Sequence, residues 1–185
     1  MPNNDMVYLR ATQKMLRRLP PPEAEIDRKP GNALGDWFVN RLVVDRQPLL
    51  ILVSGTSLLP ILEPARDVRS LPGRLPVIVR RRLERFGVPG ELIVPEIEAM
   101  GEVLVAPTND RSVVGTMVDF TRAVPYYLPE GVHWGERELH DAEAALAGTP
   151  CRSSGRNVLF PDLATTELLS TRWTVEAGGS LTSEH

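Results

Sequence analysis

The run Leu49, Leu50, Ile51, Leu52, Val53 is unbroken apolar sequence, whereas a strand with one wet face would alternate apolar and polar residues. The pattern predicts a strand covered on both sides. Just upstream, Trp37, Val39 and Val43 share one face of a period-two pattern and Phe38, Leu42 and Val44 the other, with Asp45, Arg46, Gln47 and Pro48 as the turn. Leu34 to Ser54 thus reads as a long β-hairpin at the centre of a sheet. Each face of its first strand carries one polar intruder, Asn40 on one and Arg41 on the other. Left unpaired in a core, each would cost about 1–3 kcal/mol, the charge more. In a local reading, Asn40 bonds a neighbouring loop and Arg41 pairs with a carboxylate near the sheet edge. In a functional reading, both point into a site.

Around the hairpin the pattern predicts shorter elements. Met6 to Ala11 reads as a strand, and Thr12 caps a brief helix through Leu19 that Pro20 to Pro22 ends. Residues 20–33, proline-rich at first and then polar and aperiodic, form a surface loop. Ser57 to Leu62 adds a third, antiparallel strand ahead of Pro64. Leu75, Ile78, Val79, Leu83 and Phe86 fall at helical spacing, with Pro76 in the first turn and Gly87 as the stop. Glu91 to Met100 is a second helix that Pro95 must start or break, and Glu102 to Ala106 another strand. The segment Pro107 to Asp119 passes from strand into helix, with Thr108, Asn109 or Asp110 as cap and Val113, Val114, Met117, Val118, Thr121 and Val124 on the buried side. Leu139, Ala142 and Leu146 mark a helix over Glu136 to Ala147. After Cys151 the sequence RSSGRN is an exposed loop, Asp162 to Ser170 a last short helix, and 171–185 a loosely held tail.

Length and charge add bounds. At 185 residues the chain suits one domain, taken as residues 1–170 plus the tail, and the net charge of −3 gives no global footprint for nucleic acid or anionic membrane. Cys151 is the only cysteine, so no internal disulfide forms and a reducing cytoplasm is the natural setting. The first ten residues lack a signal-peptide pattern, and no apolar run approaches membrane-spanning length.

Candidate chemistry is sparse. Arg111 and Ser112 open the helix after Pro107, where free backbone N–H groups and the positive dipole end favour an anion. The plainer alternative pairs Arg111 with Asp110 or Asp119. Gly115, inside that helix, costs up to about 1 kcal/mol relative to alanine and implies close approach by something, the sheet being one candidate. Arg80, Arg81 and Arg85 form a solvated helix face or, alternatively, a phosphate-binding patch. His133, Glu136 and His140 have the spacing of one arm of a metal site, but no second cluster completes a coordination sphere, so no metal and no cofactor is expected. Cys151 with His140 as thiol and base lacks any motif placing them together. Nucleophile-elbow, P-loop and dinucleotide fingerprints are missing.

The segments VYLRATQKML, LGDWFVNRLVVDRQPLLILVS, PTNDRSVVGTMVDF and, more loosely, ELHDAEAALAGTP resemble an uncharacterised bacterial family, domain of unknown function 6933. Members of that family often carry a second basic residue in the hairpin turn and an asparagine near the position of His140; this chain has Gln47 and His140. The resemblance implies a compact α+β domain of the bacterial cytoplasm and carries no established activity, cofactor or catalytic residue.

The resulting expectation is a single α+β domain with a mainly antiparallel sheet of four or five strands, packed by helices over 75–100 and 110–147. Functionally, Trp37, Asn40, Arg41, Asn109, Arg111 and Ser112 are expected to converge on one hollow, making a non-enzymatic binding or regulatory module for a protein partner or a small anionic ligand. The rival is an enzyme acting on a phosphate-bearing substrate such as RNA or a nucleotide, with Asp119 or His140 as base. A third reading is a nucleic-acid-binding component that uses the Arg80, Arg81 and Arg85 face.

Overall fold

A computed structural model describes residues 5–152 and 157–178. Strands β1 (Met6–Ala11), β2 (Trp37–Val44), β3 (Gln47–Ser54), β4 (Pro60–Pro64) and β5 (Glu102–Pro107) form one sheet in the order β4-β3-β2-β1-β5. The helices are α1 (Gln13–Leu16), α2 (Leu71–Arg85), α3 (Gly90–Met100), α4 (Arg111–Tyr127), α5 (Glu136–Ala147) and α6 (Pro161–Gly178), and β6 (Cys151–Arg152) pairs with β7 (Val158–Leu159). The class is α+β, but the sheet is mixed rather than mainly antiparallel. Strands β2, β3 and β4 form an antiparallel meander, while β1 runs parallel to both β2 and β5. Parallel neighbours require a long crossover, usually helical. Here the β1–β2 crossover is almost all loop, with only the four-residue α1, so no strand–helix–strand rhythm marks it in the sequence.

The unbroken apolar run behaves as its pattern predicts. Leu50 and Leu52 join Val7, Leu9, Trp37 and Val39 in a core covered by α1, α2, α3 and α6. Leu49, Ile51 and Val53 join Phe38 and Leu42 in a second core under α4 and α5. The hairpin turn is tighter than expected: Asp45 and Arg46 alone make it, both left-handed (φ 47° and 60°), and Pro48 already lies in β3 opposite Val43. That geometry matches the twist of the strands but costs non-glycine residues about 1–2 kcal/mol each.

Besides Pro125 in the last turn of α4, two prolines fall well inside helices. Helix α2 starts at Leu71 with Pro72 in its first turn, so Pro76 lies inside it, and α3 runs through Pro95 instead of starting or breaking there. Each forfeits one early intrahelical bond, and buried Leu75 and Ile78, or Leu92 and Ile93, hold the helix in place. Helix α3 ends at Gly101 (φ +55°), where any Cβ would overlap the Asp5 carbonyl.

Buried ionic groups tie the remaining segments down. The loop before β2 is pinned across β1, where Arg10 pairs with Glu25 and Asp36, the latter at 2.9 Å, and Tyr8 Oη accepts from the Ile26 amide at 2.7 Å. Its far end is held by Glu96 of α3, fully buried, which accepts from Asn32 Nδ2, the Ala33 and Leu34 amides, and Trp173 Nε1 at 2.8–3.1 Å. Trp173 belongs to α6, which continues past Ser170, where the tail was expected to begin, to Gly178; 179–185 lie outside the described residues. Along β4, buried Arg82 of α2 donates to the Leu62 carbonyl (2.8 Å), to Glu63 (2.6 Å) and through Nε to both oxygens of Glu143 of α5 (2.9 and 3.1 Å). The Leu62 amide in turn donates to Glu143. Together the two side chains occupy backbone groups that edge strand β4 would otherwise leave unpaired.

Candidate functional site

Helix α4 carries the site. Asp110 caps it, its carboxylate accepting from the Ser112 and Val113 amides at 2.9 and 3.3 Å. The N–H groups expected to hold an anion are therefore already taken by this carboxylate, and any anion recognition here falls to side chains. Asp110 also settles which of the three candidate caps is used.

Along α4 the side chains of Val113, Met117, Phe120 and Val124 face the second core, while Val118, expected inside, is 39% exposed. Next to the core-facing stripe runs a cleft of about 540 Å³, walled by α4 on one side and by Leu146 and residues Thr149 to Arg152 on the other. Its α4 wall includes Arg111, Gly115, Asp119, Ala123 and Tyr127, a strict four-residue spacing along one helical face, with Ser112 and Thr116 alongside. Nothing lies within 4 Å of where a Cβ on Gly115 would stand. The glycine thus accommodates no close neighbour, contrary to expectation, and instead leaves the helix backbone open to the cleft.

Two cations line this cleft, Arg111 and Arg152, and among the described residues neither forms an ion pair. The expected pairing of Arg111 with Asp110 or Asp119 does not occur; Asp110 is the cap, and Asp119 lies 4.0 Å from Arg122. Cys151 also lines the cleft, its Sγ donating to the Thr149 carbonyl at 3.4 Å. Burial, assisted by the charge of Asp119, pushes its thiol up to about 11, so the sulfur is protonated and unsuited to nucleophilic attack near neutral pH.

Of the six residues expected to converge, Arg111 and Ser112 line the cleft; Trp37, Asn40, Arg41 and Asn109 are not part of its wall. Trp37 is completely buried in the first core. Asn40 follows the local reading, its Oδ1 accepting from Thr12 Oγ1 (2.8 Å) and from the Arg41 amide (2.9 Å). Arg41 is half-buried and has no carboxylate partner among the described residues, and Asn109 is exposed. Gly115, Thr116, Asp119 and Tyr127 were recoverable from the helical repeat beginning at Arg111 and Ser112. Arg152 was not, since nothing local to the RSSGRN stretch says which helix it meets.

The other candidate chemistries come apart in space. Glu136 pairs with Arg85, His133 precedes α5 beside Arg46 and Arg66, and the His140 ring stands edge-on to Phe86 at 5.3 Å. Burial and then Arg85 hold His140 below its ordinary value, and its Nδ1 is buried with no hydrogen-bond partner among the described residues. No group of three or more metal-ligating side chains occurs among the described residues. On α2, Arg80 pairs with Glu84 at 3.3 Å and Arg85 with Glu136, so the proposed arginine face is largely neutralised. Among the described residues no helix is long and apolar enough to cross a membrane.

Fold and cleft together define a small α+β domain with an open, arginine-flanked groove along one helix. The chain belongs to a family described as a domain of unknown function, DUF6933, whose model matches residues 8–164. A search among curated proteins finds no match.

Proposed function

We propose that the protein is a binding module, working in a bacterial cytoplasm, that takes a small anionic ligand into the α4 groove. The observation that carries this reading is that Arg111 and Arg152, neither of which forms an ion pair among the described residues, face one cleft whose helical wall is opened by Gly115. A guanidinium is a planar fork suited to phosphate or carboxylate oxygens, and the Ser112 and Thr116 hydroxyls add neutral donors. Ala123, Leu146, Pro150 and the Tyr127 ring give the ligand's body apolar surface, and the cleft's volume lies in the range of small-molecule sites. Asp119 borders the same cleft, so an enzymatic reading on a phosphate-bearing substrate would use it as the base in place of His140, which packs against α2.

Calorimetric titration with pyrophosphate and a nucleoside triphosphate tests the reading. Wild-type protein binds at least one of them, and Arg111→Ala and Arg152→Ala each weaken it tenfold or more. Gly115→Leu separates function from fold: it gains up to about 1 kcal/mol of helix stability while filling the groove, and abolishes binding. Release of inorganic phosphate during the titration would favour the enzyme. Absence of binding to either probe, or wild-type binding by Gly115→Leu, would overturn the proposal.

A further inference from the structure

A second basic surface lies elsewhere, and among the described residues its arginines, unlike Arg10, Arg80, Arg82 and Arg85, form no ion pair. Arg17 and Arg18, just after α1, and Arg69, just before α2, wall one concavity of about 550 Å³ in which, among the described residues, Asp67 is the only acid. Arg66, the residue before Asp67, lines a second hollow with Arg46 from the hairpin turn and His133. Arg17, Arg18, Arg46, Arg66 and Arg69 make no ion pair among the described residues. The nearby carboxylates are already engaged or outnumbered: Asp45 accepts from the Gly131 amide and Glu63 binds Arg82. The rim is also braced. Arg74 donates to the Arg66 and Asp67 carbonyls at 3.0 and 3.1 Å and to Ser70 Oγ at 2.8 Å, which fixes the backbone carrying Arg66 and Arg69.

From this we infer that the surface formed by the end of α1, the β4–α2 connection and the hairpin turn is a docking site for a nucleic-acid backbone. Like cations held close together on a chain whose net charge is −3 repel one another, and a polyanion relieves that repulsion. Arginine forks suit phosphate groups, and concave walls carrying cations on both sides fit a strand of repeating charges better than a flat bilayer. Of the apolar side chains in these linings, Leu19, Leu49, Trp134 and Leu139 are buried and Val68 is half-buried, so the described residues there offer no fully exposed large apolar side chain for membrane insertion. This inference does not rest on the α4 groove, whose two arginines belong to a different cleft.

The test is fluorescence anisotropy of the full chain with a 20-nucleotide RNA strand and a 20-base-pair DNA duplex at 50–200 mM salt. Binding of either is expected, with a log–log salt slope of about −4 for five engaged arginines, or roughly two orders of magnitude in affinity across that range. Reversing Arg17, Arg18 and Arg69 to glutamate together cuts affinity at least tenfold. The matched reversal of exposed Arg80, Arg81 and Arg137 leaves it within threefold, and binding by Gly115→Leu is unchanged. No binding at 50 mM salt, equal losses in the two triple variants, or the same arginine dependence seen only with phosphatidylserine vesicles would each overturn it.

Discussion

Glu96→Gln isolates the most demanding buried contact in the fold. In the native protein, one carboxylate oxygen accepts from Asn32 Nδ2 and the Leu34 amide, and the other from the Ala33 amide and Trp173 Nε1. A glutamine side chain has nearly the same shape but offers one oxygen and one NH₂ group, so whichever way it turns, two donors face a donor. Turning Asn32 brings its Oδ1, which has no partner among the described residues, to the new NH₂, but at the expense of its Nδ2 bond to the Gly35 carbonyl. Two hydrogen bonds to a charged acceptor are lost, each worth about 1.5–3 kcal/mol, for a total of about 3–6 kcal/mol. Against a typical domain stability of about 5–15 kcal/mol, that removes a large fraction of the whole. The assay is urea unfolding followed by tryptophan fluorescence, together with amide exchange at Ala33 and Leu34. The midpoint should fall with little change in slope, and both amides should lose protection. Trp173→Phe, which removes one donor and keeps three, should cost about 1–3 kcal/mol. A loss below about 1 kcal/mol for Glu96→Gln would show that the loop and α6 are held by apolar packing instead.

Glu143, buried beside Arg82, sets a pH dependence. Burial raises its carboxyl from an ordinary 4.5 to about 7, against the pull of Arg82. The folded state therefore binds this proton more tightly than the unfolded chain does, and this contribution to stability falls as pH rises from about 4.5 to about 7. Glu143→Gln should flatten that slope in urea midpoints measured between pH 5 and 7.5; an unchanged slope refutes the assignment. Cys151, with its thiol near 11 and an ordinary value of 9.0, has about a hundredfold less thiolate than an exposed cysteine. Labelling by an aromatic disulfide at pH 8 should be slower than in urea by at least that factor, and comparable rates would contradict the buried placement.

Much of the secondary structure was legible because its signals are local. The apolar run at Leu49–Val53, the alternation around Trp37 and Phe38, and the helical spacing at Val113, Met117 and Val124 each reflect a residue's own backbone geometry and the face it must hide. Arg111 and Ser112 could be picked out for the same reason, because they stand at a recognisable helix start. The start of α2 near Pro76 and the interruption expected at Pro95 were misjudged because packing over the whole helix outweighs one missing hydrogen bond.

The chain by itself thus determined most of the longer strands and helices and most of their apolar faces. Only the tertiary structure decided that β1 sits parallel between β2 and β5, that Glu96 gathers donors from a loop 62–64 residues away and from Trp173, and that Arg152 faces Arg111 across a cleft. Contacts of that kind join positions far apart in sequence, and their geometry depends on every element packed between them. No local period records it.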